Sequence, residues 1–226
     1  IQSLGNLLGL GEIYLGFWGI PFTIFCIVGM INAFNMIDGL NGLCATLCLV
    51  CFIAIIYMNN ADTVPSLFPL ILPVGAIMGF LMYNLGILGN QRTVFLGDNG
   101  SNALGFMCAW ILVYFSSFEN SNFAPITALW FVAIPFFDAV GVMISRVVKG
   151  IMPLSPGRDH LHHKLLKMGL SSNAIYVVLI LISVIFAAVG YIFNHNFPES
   201  HFISFYTFMI LWLCYYLLTR HISKNV

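Results

Sequence analysis

Residues 174–193 read AIYVVLILISVIFAAVGYIF, a run of apolar and small residues that contains no charged side chain. A hydrocarbon layer about 30 Å thick is crossed by about 20 residues of α-helix. Inside lipid every backbone amide must find its hydrogen-bond partner within the protein, and a single apolar run can satisfy this only as a helix. This stretch therefore predicts a transmembrane helix.

The rest of the chain has the same character. Of the 226 residues, 60% are hydrophobic and only 7% are charged, whereas a soluble domain carries about 25% charged residues. We therefore predict an all-α, polytopic transmembrane helical bundle with about seven spans, formed by residues 1–226 as a single domain. The spans are predicted near Leu15–Phe34, Gly42–Met58, Ser66–Leu85, Ser101–Phe118, Ala124–Ile144, Ala174–Phe193 and Phe202–Thr219.

Charge placement orients these spans. With alternating directions, all eight basic residues fall on one side, namely Arg92, Arg146, Lys149, Arg158, Lys164, Lys167, Arg220 and Lys224. The opposite loops carry Asp62, Glu119 and Glu199 but no Lys or Arg. By the positive-inside rule the basic side is predicted to be cytoplasmic. The net charge of zero gives no indication of a nucleic-acid partner.

The six cysteines, Cys26, Cys44, Cys48, Cys51, Cys108 and Cys214, all lie in apolar stretches. Cys44, Cys48 and Cys51 share one helix face, where a metal site is conceivable. The apolar context favours thiols packed as small hydrophobic groups.

Residues 32–42, NAFNMIDGLNG, join two predicted spans on the basic side. Asn and Gly are common in turns, so the segment could be a plain connector. Alternatively, if the preceding helix continues, the spacing of Asn32, Asn35 and Asp38 places them on one face near the membrane surface. Polar groups in such a position tend to face a cavity or a partner.

Residues 94–101, VFLGDNGS, place Asp98 between two glycines at the start of a predicted span. Asp98 and Ser101 could cap the helix that follows. Alternatively, the glycines allow close approach of a ligand, and Asp98 could bind Mg²⁺, which takes one or two carboxylates together with phosphate oxygens.

The longest loop, at about residues 145–172, contains Arg146, Lys149 and the sequence SPGRDHLHHK at 155–164. It could be a solvated basic loop. A zinc site is disfavoured because no cysteine lies on the loop and the HExxH pattern is absent. Arg and Lys beside histidines suit a phosphate group instead. Asp138 lies within a predicted span, where a carboxylate either has a function or makes a hydrogen bond between helices.

Taken together and in order, NAFNMIDGLNGL (32–43), VFLGDNGS (94–101) and SPGRDHLHH (155–163) resemble the polyprenyl-phosphate N-acetylhexosamine-1-phosphate transferases. This family includes the phospho-MurNAc-pentapeptide translocases. The likeness is greatest to the bacterial undecaprenyl-phosphate N-acetylglucosaminyl 1-phosphate transferases. NLGILG (84–89), IPFFD (134–138) and KGIMPLSP (149–156) also resemble that branch.

The resemblance implies transfer of a sugar 1-phosphate from a UDP-sugar to a polyprenyl phosphate, with release of UMP. It implies an enzyme of the bacterial inner membrane that is active at the cytoplasmic face, initiates a surface polysaccharide, and uses Mg²⁺, or Mn²⁺ in its place. The partners implied are the UDP-sugar, the polyprenyl phosphate lipid and the bilayer; a homodimer is left open. N-acetylglucosamine follows from the branch alone, so another N-acetylhexosamine also stays open.

The resemblance also implies roles for individual residues. Asp98 would bind Mg²⁺ or act directly on the phosphates, and Asp38 would be the second catalytic carboxylate. The substrate-binding positions would be Asn35, Asn41, Arg146, Arg158, His160, His162 and His163. Among these, the histidines would bind the UDP-sugar and the two arginines its diphosphate.

Two departures from the family pattern affect this reading. Asn41 stands where the branch usually has a second aspartate, and the family's adjacent Asp-Asp pair is absent. Family members also have about eleven spans, so we expect this chain to be the C-terminal portion of the enzyme and to be inactive alone. An inactive paralogue and a membrane transporter are the alternatives. A transporter would place its ionisable groups near the bilayer midplane, whereas here they gather at one face.

Overall fold

The computed structural model describes residues 1–59, 64–89, 93–117, 123–155, 157 and 159–225, without the side chains of residues 64–69 and 224–225. Within these residues the regular structure is helical, apart from an isolated antiparallel bridge between Ser3 and Tyr14. After a short 3-10 turn at Gly16–Trp18, the helices are α1 (Gly19–Ile37), α2 (Leu43–Met58), α3 (Val64–Asn84), α4 (Gly97–Ser117), α5 (Pro125–Phe131), α6 (Ala133–Val148), α7 (Leu161–Lys167), α8 (Ser172–Asn196) and α9 (His201–Asn225). The prediction of an all-α membrane protein is confirmed.

The number of membrane crossings differs from the sequence prediction. Three helical segments in the described part of the chain, Gly16–Ile37, Ser172–Asn196 and His201–Ser223, are long and apolar enough to cross a membrane. The bent pair α5–α6 raises this number to four if the pair forms one span. Each predicted span contains a helix, but a count of seven crossings is not confirmed, because several of these helices are too short or too polar.

The predicted span Ala124–Ile144 is broken. The axes of α5 and α6 meet at 88°, and the linking residue Val132 has a non-helical backbone with φ −124° and ψ 26°. Pro135 lies three residues beyond this break. A proline ring clashes with the carbonyl four residues earlier and lacks an N–H donor, so a continuous helix through this point is disfavoured.

Helix packing brings the polar loops of the basic side together. α1 packs along α4, where a β-carbon on Gly105 would lie only 2.8 Å from Cα of Ile31. The absence of a side chain at Gly105 therefore lets the two helices approach closely, which places their ends, and hence Asp38 and Asp98, side by side.

The cysteine cluster lies in the hydrophobic core between α2 and α4. Cys44, Cys48 and Cys51 are fully buried, and the sulfur atoms of Cys48 and Cys108 are 3.2 Å apart. They pack among apolar side chains such as Phe52 and Ile55, as expected for thiols used as small hydrophobic groups.

The His-containing segment is shorter and more ordered than the loop predicted at 145–172. α6 continues to Val148, α8 begins at Ser172, and the two-turn helix α7 lies between them. This segment, the Asp38 loop and the start of α4 lie at the same end of the bundle, which we call the basic end. The opposite end carries Glu12, Ser116 and Asn194 around a separate polar cleft.

Candidate active site

Two carboxylates face one cleft at the basic end. Asp38 is the first residue after α1, and Asp98 lies in the first turn of α4. Both line a cleft of about 280 Å³, together with Asn41, Asn84 and Phe95. We call this the acidic cleft. The structure therefore brings together the two residues predicted to be catalytic, and Asn41 with them.

The two carboxylates are close enough to influence each other. Burial, and to a lesser extent the negative charge of Asp98, raise the pKa of Asp38 to about 6. A carboxylate that is half buried beside a second negative charge gains from a cation placed between them. The acidic cleft is therefore electrostatically suited to a divalent ion.

The donor set fits Mg²⁺ better than zinc. Among the described residues, no group of three or more His, Cys, Asp or Glu side chains is arranged to hold a metal ion. A structural zinc site would need four such ligands, whereas Mg²⁺ is commonly held by one or two carboxylates and completed by water and phosphate oxygens. Asp98 and Asp38 would be the protein ligands.

Asn35 lies behind this cleft. Its Nδ2 donates a hydrogen bond to Oγ of Ser101 at 3.0 Å, and that hydroxyl donates to the main-chain oxygen of Asp98 at 3.1 Å. Asn35 thus steadies the turn that carries Asp98, and Ser101 bonds back to this turn instead of capping α4. The helix α1 ends before Asp38, so only Asn32 and Asn35 of the predicted polar face are helical.

The histidine segment touches the Asp38 loop. A β-carbon on Gly39 would overlap ring atom Nε2 of His162, so only glycine fits there without displacing the imidazole. The ring centroids of His162 and His163 are 4.2 Å apart, and those of His160 and His162 are 6.2 Å apart. All three histidines therefore lie in one group beside the acidic cleft.

His162 has an unusual environment. It is 1% exposed, and neither ring nitrogen has a hydrogen-bond partner within the described residues. Burial and the adjacent His163 lower the pKa of His162 to about 4, so its imidazole is neutral at pH 7. A buried polar group without a partner is costly, which makes the His162 ring a candidate for a hydrogen bond to a bound ligand.

Asp138 holds the histidine segment in place. Its carboxylate accepts hydrogen bonds from Nδ1 of His160 at 2.8 Å, from the backbone N–H of Leu161 at 2.8 Å and from the hydroxyl of Tyr215 at 3.1 Å. Of the two alternatives raised by the sequence, the structure shows the hydrogen bonds between helices, and these also fix the His160 ring just before α7. A function for Asp138 in the reaction stays a prediction. Sequence reasoning missed Tyr215, because nothing in an apolar C-terminal span marks it.

Arg146 is turned into the protein. It is 3% exposed, its Nε donates to Asp159 at 2.9 Å, and its Nη1 donates to the carbonyls of Pro153 and Ser155. The Arg146 guanidinium in turn lowers the pKa of Asp159. These contacts favour a role in shaping the loop, and the diphosphate-binding role stays a prediction. Arg158, predicted to assist Arg146, lies outside the described residues.

Comparison with known proteins identifies the family of this chain. The profile of glycosyl transferase family 4 matches residues 1–116, just over half of the chain. The chain belongs to this family.

The similar proteins carry a more specific name. The undecaprenyl-phosphate alpha-N-acetylglucosaminyl 1-phosphate transferase of Escherichia coli O157:H7 is 37% identical over 227 residues, covering 100% of this chain and 60% of the relative. The Haemophilus influenzae protein of the same name is 36% identical over 220 residues, covering 95% of the chain and 61% of that relative. The chain thus spans about 60% of the length of these curated relatives.

Proposed function

We propose that this protein transfers N-acetylglucosamine 1-phosphate from UDP-N-acetylglucosamine to undecaprenyl phosphate. The observation that carries the proposal is the acidic cleft, where Asp38 and Asp98 lie together beside the buried imidazole of His162, whose ring nitrogens have no hydrogen-bond partner among the described residues. Family membership and the printed names of the relatives support the substrates.

In this reaction a phosphate oxygen of the lipid attacks the phosphorus that carries the sugar. A new P–O bond forms, the bond from that phosphorus to the bridging oxygen breaks, and UMP leaves with the electron pair. The products are the lipid-linked pyrophosphoryl sugar and UMP. Transfer of a phosphoryl group asks the protein chiefly for positioning and charge neutralisation.

Bound Mg²⁺ would neutralise the charge of the diphosphate and help the leaving group depart. Asp98 and Asp38 would hold the ion against the diphosphate. His162, neutral at pH 7, could donate one hydrogen bond to a phosphate oxygen through either ring nitrogen. His160 would be fixed in orientation by Asp138, which leaves its Nε2 for the substrate.

We further propose that the site lies at the cytoplasmic face of the inner membrane and that the product initiates a surface polysaccharide such as O-antigen, lipopolysaccharide or a common antigen. The basic residues gathered at this end support the orientation. Lys167 is exposed at the end of α7, on the basic side. The new thiol in Lys167→Cys should react with an impermeant maleimide in inverted vesicles and stay unlabelled in intact spheroplasts. The opposite labelling pattern would reverse the orientation.

The decisive test is UMP release by the full-length protein in lipid nanodiscs. We expect release that requires both Mg²⁺ and undecaprenyl phosphate and that is lost in Asp98→Asn. A panel of UDP-N-acetylhexosamines in the same assay identifies the sugar. Saturable movement of lipid or sugar without chemical conversion would instead identify a transporter, and a full-length protein without either activity would be the inactive paralogue.

A further inference from the structure

A second cleft at the basic end lies between the ends of α6 and α9 and the helix α7. It has a volume of about 320 Å³ and is lined by Ser145, Lys149, Lys164, Tyr216, Arg220 and Ser223, among others. We call it the cationic cleft. It shares no lining residue with the acidic cleft.

The charges of the cationic cleft are not balanced within the described structure. In the part of the chain that can be described, the ion pairs are Arg146–Asp159 and His160–Asp138, so Lys149, Lys164 and Arg220 have no carboxylate within 4.0 Å. The nearest acidic groups are already engaged, Asp138 by three hydrogen bonds and Asp159 by Arg146.

Lys164 is half-buried between charges of both signs. Burial lowers its pKa most, Asp138 and Asp159 raise it, and the charge of Lys149 lowers it by a smaller amount. An anion in the cleft would relieve the repulsion between the two lysines. The hydroxyls of Ser145 and Tyr216 are neutral groups that could donate hydrogen bonds to phosphate oxygens, whereas the Ser223 hydroxyl already donates to the main-chain oxygen of Thr219.

The surface beside this cleft is apolar and exposed. On α9, Leu213 and Leu217 are 48% and 54% exposed, and with Arg220 they follow the i, i+4, i+7 spacing of one helix face. On α6, Val148 is 68% exposed and Ile144 is 37% exposed, one turn apart. Two apolar stripes therefore lead along the bundle toward the cations, as acyl chains would require.

From these observations we propose that the cationic cleft binds the phosphate of an anionic glycerophospholipid. The head group lies between Lys149, Lys164 and Arg220, and the acyl chains lie along the stripes that contain Leu217 and Val148. Basic pockets between transmembrane helices at one membrane face are a recurrent way to hold acidic lipid head groups. A free phosphate would use only the cations, whereas a lipid would use the cations and the apolar surface beside them.

Lys164 connects the cationic cleft to helix α7, so a lipid bound in the cleft would also act on this helix. Lys164 and His162 both lie on α7, two residues apart, and so project in roughly opposite directions. His162 contacts Gly39 of the acidic-cleft loop, whereas Lys164 lines the cationic cleft. A head group held by Lys164 would therefore restrain the helix that carries the histidines.

The test is lipid retention by the intact protein. Protein in nanodiscs of phosphatidylcholine with a minor fraction of phosphatidylglycerol is released in the mass spectrometer, and the bound lipids are counted. We expect phosphatidylglycerol to be retained preferentially. Since each basic residue near a membrane surface contributes roughly fivefold to binding of acidic lipid, the double change Lys149→Gln with Arg220→Gln should lower retention about 30-fold.

Lys167→Gln is the matched control, because Lys167 is an exposed lysine at the end of the same helix and is absent from the cleft lining. It should retain the lipid like the unchanged protein. Equal retention in the double variant would overturn the proposal, provided that its melting temperature shows it to be folded. If the double variant does not fold, the single change Arg220→Gln, expected to weaken retention about fivefold, decides the question.

Two competition arms identify the source of the phosphate. Inorganic phosphate at millimolar concentration should leave the bound phosphatidylglycerol in place, and displacement would indicate a site for free anions. Undecaprenyl phosphate at equimolar amount should also leave it in place. Stoichiometric displacement by undecaprenyl phosphate would make the cleft part of the acceptor site and would overturn the assignment to a glycerophospholipid.

Discussion

The two clefts at the basic end have opposite charge although they lie on either side of the same short helix. The acidic cleft is built from Asp38 and Asp98 and abuts a buried histidine, whereas the cationic cleft has three unpaired basic residues within the described structure and opens beside exposed apolar side chains. The first suits a metal-bound diphosphate and the second suits a lipid head group. Helix α7 separates the two clefts. It carries His162, which contacts the loop of the acidic cleft, and Lys164, which lines the cationic cleft.

The largest effect should come from the acidic cleft. Asp98→Asn in the full-length protein keeps the shape of the side chain but removes its charge, and we expect UMP release to fall about 10³-fold, as when a charge-stabilising group is lost. Phosphatidylglycerol retention should not change. A fall in both properties would mean that the clefts are not independent.

The contact between the loops predicts a strong effect of one methyl group. Gly39→Ala places a carbon on the His162 ring, and displacement of a positioned group by about 1 Å can lower the rate about 10²-fold. Gly29→Ala is the control, because its new carbon would meet nothing within 4 Å. Equal activity of the two variants would show that His162 can move without consequence.

Asp138 tests whether the orientation of the histidine segment matters. Asp138→Asn weakens its three hydrogen bonds, and we expect activity to fall between about 10- and 100-fold, as for residues that orient a ligand. Faster amide exchange in residues 160–167 should accompany the loss. The companion change Tyr215→Phe removes only one bond and should cost less; a larger loss than in Asp138→Asn would contradict this assignment.

The smallest predicted effect concerns pH. Because the pKa of Asp38 is raised to about 6, the folded protein keeps a proton there at pH 5 that a cation must displace. Mn²⁺ affinity, measured by electron paramagnetic resonance, should therefore rise about tenfold per pH unit up to pH 6 and then level off. Asp38→Asn should give a flat and weaker profile, and a flat profile in the unchanged protein would sink the prediction.

Much of the fold could be predicted from composition. The apolar runs located every helix outside the basic loop, because lipid forces the backbone to satisfy its hydrogen bonds locally. The break at Val132 was missed. A proline such as Pro135 does not by itself predict a break, because transmembrane helices tolerate proline with local adjustment of the backbone. Helix α7 was missed too, because seven polar and apolar residues in a basic loop give no periodic signal.

For the site, the sequence by itself determined which residue types gather at the basic end: a carboxylate after α1, another at the start of α4, and three histidines before α8. Only the tertiary structure decided which of them meet. The close approach at Gly105, the fit of His162 against Gly39 and the bonds from Asp138 join residues far apart in the chain. The inward orientation of Arg146 is likewise a result of packing. The charge of a side chain decides which groups it can bind, whereas the surrounding structure decides which of those groups lie within its reach.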